Sequence, residues 1–200
     1  MSDTDTTEAT APPALTREWQ GMTFPTPGVF KLDPMHTHVG FLARHMMVSK
    51  VRGRFGDYDG TIVIADDLLQ SSVEVTIKVA SIDTREDARD NHLRSPDFFE
   101  AETHPEITFK STKIEHVKED RFAITGLLAI KSVSKEITLD TSYEGVVVDP
   151  YGGQRIGFAA KAELDRYDFG LTWGAALETG GLVVGRNVIL EFEIEAVRQA

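Results

Sequence analysis

The sequence predicts an all-β protein of long antiparallel strands, closed into a barrel or stacked as a sandwich. Apolar residues recur at every second position through about eight or nine stretches, the pattern of strands with one buried and one wet face. Connections between the stretches have hairpin length, too short for the helical crossovers that parallel sheets need. A helical period appears only over Arg85 to Leu93, with a second short candidate near Asp97 to Ala101.

The polar start of the chain, followed by Pro12, Pro13, Pro25 and Pro27, predicts a flexible N-terminal arm over residues 1–27 and a body over 28–200. Trp19, Met22 and Phe24 are the residues of that arm able to fold back onto the body. Gly28 to Asp33 alternates as a first strand, and Asp33-Pro34 is a turn signal. His36 to His45 reads as a second strand, with His36, His38, Gly40 and Leu42 on one face and Val39, Phe41 and Ala43 on the other. A short kink at Met46 to Val48 precedes Val51 to Phe55 and then Asp57 to Asp66. In Ser72 to Ala80, Val73, Val75, Ile77 and Val79 share the inner face.

From Ser81 to Phe99 the alternation stops and charge thickens, which places a polar lid-like loop between long strands. Beyond it, Ile107 and Phe109 start a strand running to about Val117. Phe122 to Ile130 and Ile137 to Tyr143 supply the next two, and Asp149-Pro150-Tyr151-Gly152-Gly153 is a strong turn. Phe158 to Leu164 follows, Gly180-Gly181 and Gly185 suit a hairpin, and Val188 to Ala196 alternates most cleanly of all. Nine residues at about 3.3 Å each span roughly 30 Å. An eight-stranded barrel of that height encloses either a packed core or a ligand cavity.

Composition narrows the function classes. A net charge of −11 disfavours nucleic acid and anionic lipid surfaces, both of which are met by Lys and Arg. The chain has no cysteine, hence no disulfide, thiol nucleophile or thiolate metal site. Residues 1–20 lack the positive start and apolar run of a secretory leader, and no stretch has the roughly 20 apolar residues of a membrane span. These features predict a cytoplasmic protein without integral membrane association.

Several pieces, in order, resemble the YceI family of lipocalin-like polyisoprenoid-binding proteins. They are Leu32-Asp33-Pro34 through His36, Phe41 and Arg44-His45-Met46, and Val51-Arg52-Gly53-Arg54-Phe55. Ser81-Ile82-Asp83-Thr84, Arg89-Asp90 and His92 to Phe99 follow, then Pro105 to Phe109, Gly126-Leu127-Leu128 and Arg166 to Gly170. The resemblance runs from about Gly28 to Val197. It implies an eight-stranded antiparallel lipocalin-like barrel with a short helical insertion near one mouth. It also implies an apolar tunnel for a long-chain lipid, either a polyprenyl chain or an isoprenoid quinone, and a homodimer, since family members are often dimeric. Three departures stand out. Family members are often exported, whereas residues 1–20 show no export signal. The family's Gly-Leu-x-x-His-Gly pattern is replaced at its end by Ile130-Lys131, and the Gly-x-Trp opening of true lipocalins is absent.

On this reading the tunnel is lined by Val75, Ile77, Phe109, Phe122, Ile124, Leu128, Phe158 and Leu190, with Phe41, His45 and Phe169 beside them. Alternation alone fits a filled core as well; the resemblance favours the hollow one. Arg89, His92 and Arg94, with Asp90, form the polar cluster expected to meet a head group, Arg through its planar fork and His as a neutral donor. Against this stands a solvated loop with local ion pairs. Phe98 and Phe99 are expected to anchor that loop, and Arg166 and Asp168 to form a structural pair on a strand. His36 and His38 are weak metal candidates, because a His-x-His pair on a strand shares one face. No Gly-x-Ser-x-Gly, phosphate-cradling Gly loop or His-Glu-x-x-His occurs. The expectation is therefore a non-enzymatic lipid carrier with no cofactor, and the alternative is a small metal-dependent or quinone-modifying enzyme on the same barrel.

Overall fold

β-Branched and aromatic residues at alternate positions build a wall of paired strands, and the ends of that wall meet. The computed structural model describes residues 15–46, 48–174 and 183–200. In chain order the strands are β1 (Thr16–Trp19), β2 (Met22–Pro25), β3 (Gly28–Leu32), β4 (His38–His45), β5 (Ser49–Phe55), β6 (Tyr58–Ile64) and β7 (Ser72–Lys78). The two-residue β8 (Ile82–Asp83) and helix α1 (Asp87–Arg94) come next. β9 (Glu106–Lys118), β10 (Arg121–Ile130), β11 (Val133–Val148), β12 (Gln154–Asp165) and β13 (Val184–Arg198) complete the order. Gly180-Gly181 lies outside the described residues, and among these no helix is long and apolar enough to cross a membrane.

Eight strands close the barrel in the order β12-β11-β10-β9-β7-β6-β3-β13, with β12 pairing back onto β13 and every pair antiparallel. β13 is the seam. One edge zips to β12 from Asn187 to Val197. The other takes β3 at Ala196–Arg198 and β4 at Val184–Glu193. From β4 a short extension, β5 then β8, wraps over one end of the barrel beside α1.

Two bulges set which residues face inward. A register shift between Thr125 and Gly126 in the β9–β10 ladder moves Ile114 onto the inner face already held by Ile107 and Phe109. Another at Tyr143–Gly145, where Gly145 takes φ 125°, bends β11. Lys131, where the family pattern has Gly, sits at φ 54° in the two-residue β10–β11 turn, and its ammonium reaches Glu100 at 3.5 Å.

Thr16–Pro25 differs from the expected flexible arm. It is a hairpin with Phe24 buried, because its aromatic residues cover apolar surface at one end of the barrel. The second helix expected near Asp97 is instead a series of turns in which the Ser95 and Glu100 carbonyls accept backbone N–H groups. Arg166 and Asp168 do not share a strand face. They lie in a 3-10 turn, Arg166–Phe169, where Asp165 accepts from the Tyr167 N–H and Gly170 ends the turn at φ 74°. Arg166 is buried and donates to the carbonyls of Gly185 (2.9 Å), Val184 (3.1 Å) and Leu171, while Asp168 pairs with Lys135 at 2.9 Å.

Outside the barrel, Arg155 ties three segments together. Its guanidinium donates to Asp33 (2.6 Å), Asp149 (2.8 Å) and Glu195, joining the end of β3, the β11–β12 turn and β13. Hydrogen bonds from Arg155 and then His36 hold the Asp33 carboxyl at a pKa of about 2. A carboxyl depressed in this way stabilises the fold fully above its unfolded value near 3.8 and loses that contribution as pH falls toward about 2. Arg155→Met should lower the Tm at neutral pH, because three carboxylates lose the guanidinium they share. In a pH series of thermal melts the gap from wild type should be full above about pH 4 and narrow toward pH 2.

Candidate functional site

The barrel interior contains a continuous apolar cavity. Its volume is about 130 Å³. Of its 23 lining residues only Ser71 and Thr141 carry a polar side-chain atom, and none is titratable. Both hydroxyls are engaged: Ser71 accepts from the Ala65 N–H at 3.1 Å, and Thr141 donates to the Leu139 carbonyl at 3.3 Å. Dry apolar cavities of about 150 Å³ bind small hydrocarbons, so a long chain fits only as the lining side chains move apart. Val75, Phe158, Leu190, Phe192 and Ile194 point inward yet are only half-buried, in keeping with surface left free on the cavity wall.

All eight residues expected on the tunnel wall line the cavity: Val75, Ile77, Phe109, Phe122, Ile124, Leu128, Phe158 and Leu190. Gly126 makes room for one of them. A Cβ there would come within 2.5 Å of the Lys110 carbonyl oxygen and 2.6 Å of Phe109 Cζ, so the Phe109 ring lies across β10 only because the side chain is missing. The wall also includes residues not among the expected tunnel lining, such as Phe24, Leu68, Ile114 and Thr141. Ile114 is hidden by the bulge that shifts its parity, and Phe24 by lying in what reads as a polar arm.

The remaining candidates are not on the cavity wall. Phe41 lies over Gly53, 5.8 Å from the Phe55 ring, and His45 pairs with Ser49 at the far end of β4. Phe169 is fully buried in the same core cluster as Phe55, and Phe99 meets Phe55 edge-on at 6.1 Å. The polar cluster fastens the helix. Arg94 donates to the carbonyls of Ala80 (2.9 Å) and Ile82 (2.8 Å), and Arg89 to Thr84 Oγ1 (2.6 Å) and its carbonyl (2.8 Å). Buried Asp90 accepts from the Thr84 N–H at 2.9 Å and from its hydroxyl at 2.5 Å. His92 Nε2 lies 2.9 Å from Asp97, with its ring edge-on to Phe98 and Trp173. Glu86 caps α1, accepting from the Ala88 and Arg89 N–H groups.

His36 and His38 do not share a strand face, because β4 starts at His38. His36 stands in the preceding turn with Asp33 and Glu195, close enough for one metal ion, while the His38 ring lies over Gly40. The guanidinium of Arg155 already bonds both carboxylates of that trio.

Residues 30–196 match the family model described as the YceI-like domain. The chain belongs to the YceI-like family. Among its relatives, a UPF0312 protein of Staphylococcus epidermidis is 37% identical over 171 residues, covering 83% of this chain and 95% of the relative. One from Staphylococcus aureus is 35% identical over 170 residues with the same coverage. The YCEI protein of Campylobacter jejuni superposes with a TM-score of 0.68 at 34% identity, covering 78% of this chain and 90% of that one. A polyisoprenoid-binding domain from Saccharophagus degradans shares the fold at a TM-score of 0.66 and 16% identity, covering 87% and 100%. For this YceI-like barrel Gly126 is a sharp test. Gly126→Val should push Phe109 and the Lys110 strand aside, lowering Tm by several degrees, and a crystal structure should show the Phe109 ring displaced into the cavity.

Proposed function

We propose that this YceI-like barrel holds and carries a long-chain isoprenoid lipid, a polyprenyl chain or an isoprenoid quinone, in its apolar interior. One observation carries the reading: a cavity whose wall is hydrocarbon apart from two hydroxyls, each of which already bonds the protein's own backbone. Such a wall offers little with which to orient a polar substrate and carries no titratable acid or base among its lining residues, which favours holding over catalysis. The bond of a neighbouring fold to polyisoprenoids, in the Saccharophagus degradans domain, supports the same cargo class.

The energetics are sufficient. Burying about 600 Å² of ligand hydrocarbon contributes roughly 15 kcal/mol before association and ordering costs. Part of that gain opens the collapsed lining. The enzyme alternative finds less support, because its metal candidates reduce to His36 with two carboxylates that Arg155 already neutralises.

Native mass spectrometry of protein purified from its own host, with solvent extraction of the same sample, tests the proposal. The expected result is an extractable apolar adduct of several hundred daltons. Val75→Phe fills the cavity with ring carbon while keeping it apolar, and the overpacking of about 1–3 kcal/mol should weaken retention roughly five- to hundred-fold. Ile77→Glu should abolish it, since a carboxylate there has no solvation. Folded variants of both kinds that retain as much lipid as wild type would remove the cavity from consideration.

A further inference from the structure

We infer that the β1–β2 hairpin is the end wall of the cavity and that Phe24 sets the length of chain the barrel accepts; this rests on the carrier role proposed above. The hairpin precedes residues 30–196, the part matched by the family model, and its two strands pair only with each other. It is therefore an addition laid across the barrel and not a piece of its wall. Phe24 is the hairpin's one contribution to the cavity lining, and it is 3% exposed.

The ring of Phe24 is fixed from several sides. It stacks on Tyr143 with centroids 4.0 Å apart and planes 11° from parallel, and meets Phe122 edge-on at 6.0 Å. Tyr143 Oη donates to the Thr23 carbonyl at 2.9 Å, so the same residue that stacks on Phe24 also holds the backbone beside it. Behind it, Trp19 stacks on Phe122 at 5.9 Å. Arg17 donates to the carbonyls of Ala65 and Asp66, and Gln154 to that of Leu15 at 2.7 Å, which bolts the hairpin to the barrel rim. A chain running along the cavity toward this end meets the rigidly held Phe24 ring, packed edge-on against the Phe122 ring of the wall. The other end is different in kind: Phe55 and Phe99 meet edge-on, Phe169 belongs to the same buried cluster, and none of the three lines the cavity. The size of the side chain at position 24 is thus the dimension that terminates the available length.

Delipidated wild type, Phe24→Ala, Phe24→Leu and Phe24→Trp would each be offered an equimolar ladder of linear prenyl alcohols, from farnesol through geranylgeraniol to solanesol. Native mass spectrometry reads the distribution retained. Phe24→Ala should shift the best-retained length upward by about one isoprene unit, as expected for the space the ring vacates, and Phe24→Trp should shift it downward. Phe24→Leu keeps an apolar contact with Tyr143 and should also shift it upward if the alanine variant loosens the hairpin. The same preferred length in all folded variants, judged by unchanged circular dichroism, overturns the end-wall role and leaves the carrier reading standing. Failure of wild type to retain any prenyl alcohol overturns both.

Discussion

An interior almost without polar groups imposes most of what is seen in the rest of the molecule. Only the Ser71 and Thr141 hydroxyls on the cavity wall meet a backbone N–H or carbonyl, so nearly every backbone group must pair along the strands, and the sheet has to close on itself. β13 meets that demand by serving β12 on one edge and both β3 and β4 on the other. The same constraint pushes the ion pairs outward. The Arg155 cluster, which knits three chain segments, lies outside the ring, where its carboxylates keep part of their hydration.

The two ends of the barrel are closed by different chemistry. At the helical end, arginines hold backbone carbonyls: Arg94 those of Ala80 and Ile82, and Arg166 those of Val184, Gly185 and Leu171. Burial lowers the pKa of Arg166, yet three carbonyl acceptors compensate its charge in place of a carboxylate. At the hairpin end, aromatic faces do most of the closing, and burial raises the pKa of the Tyr143 phenol that supports them. One end is sewn chiefly by arginine-to-carbonyl bonds, and the other joins stacked aromatic rings to a few carbonyl bonds from Arg17, Gln154 and Tyr143, so the two resist opening in unlike ways.

Much of this was legible in the sequence because a strand with one buried face writes its parity into every second residue. That is how Val75, Ile77, Phe109, Phe158 and Leu190 were found on the cavity wall. Parity fails where the backbone departs from it. The bulge near Thr112 moves Ile114 inward, and no composition rule marks an extra residue in a ladder. The polar cluster of α1 is ambiguous for another reason: Arg89, His92 and Arg94 have the right chemistry for a head group, yet Arg89 also bonds Thr84, Arg94 the carbonyls of Ala80 and Ile82, and His92 the carboxylate of Asp97. Which partner an arginine takes depends on where the backbone passes, and that is not local information. The hairpin escaped because its short strands sit among prolines and polar residues, and only the barrel end makes sense of Trp19 and Phe24.

Because β13 follows all the strands it joins, the barrel remains an open, curved sheet until that strand is made. Until that strand emerges, the inner faces of β10, β11 and β12 are exposed to the surrounding medium, and β3 and β12 present unpaired edges. The apolar lumen comes into being in a single late event, when a strand at the C-terminal side bridges segments more than a hundred residues apart in the chain, such as Phe30 with Arg198. A nascent chain of this design has a window in which a hydrophobic molecule meets a surface and not a sealed chamber, so capture during folding and exchange after it are physically separate routes to the loaded state.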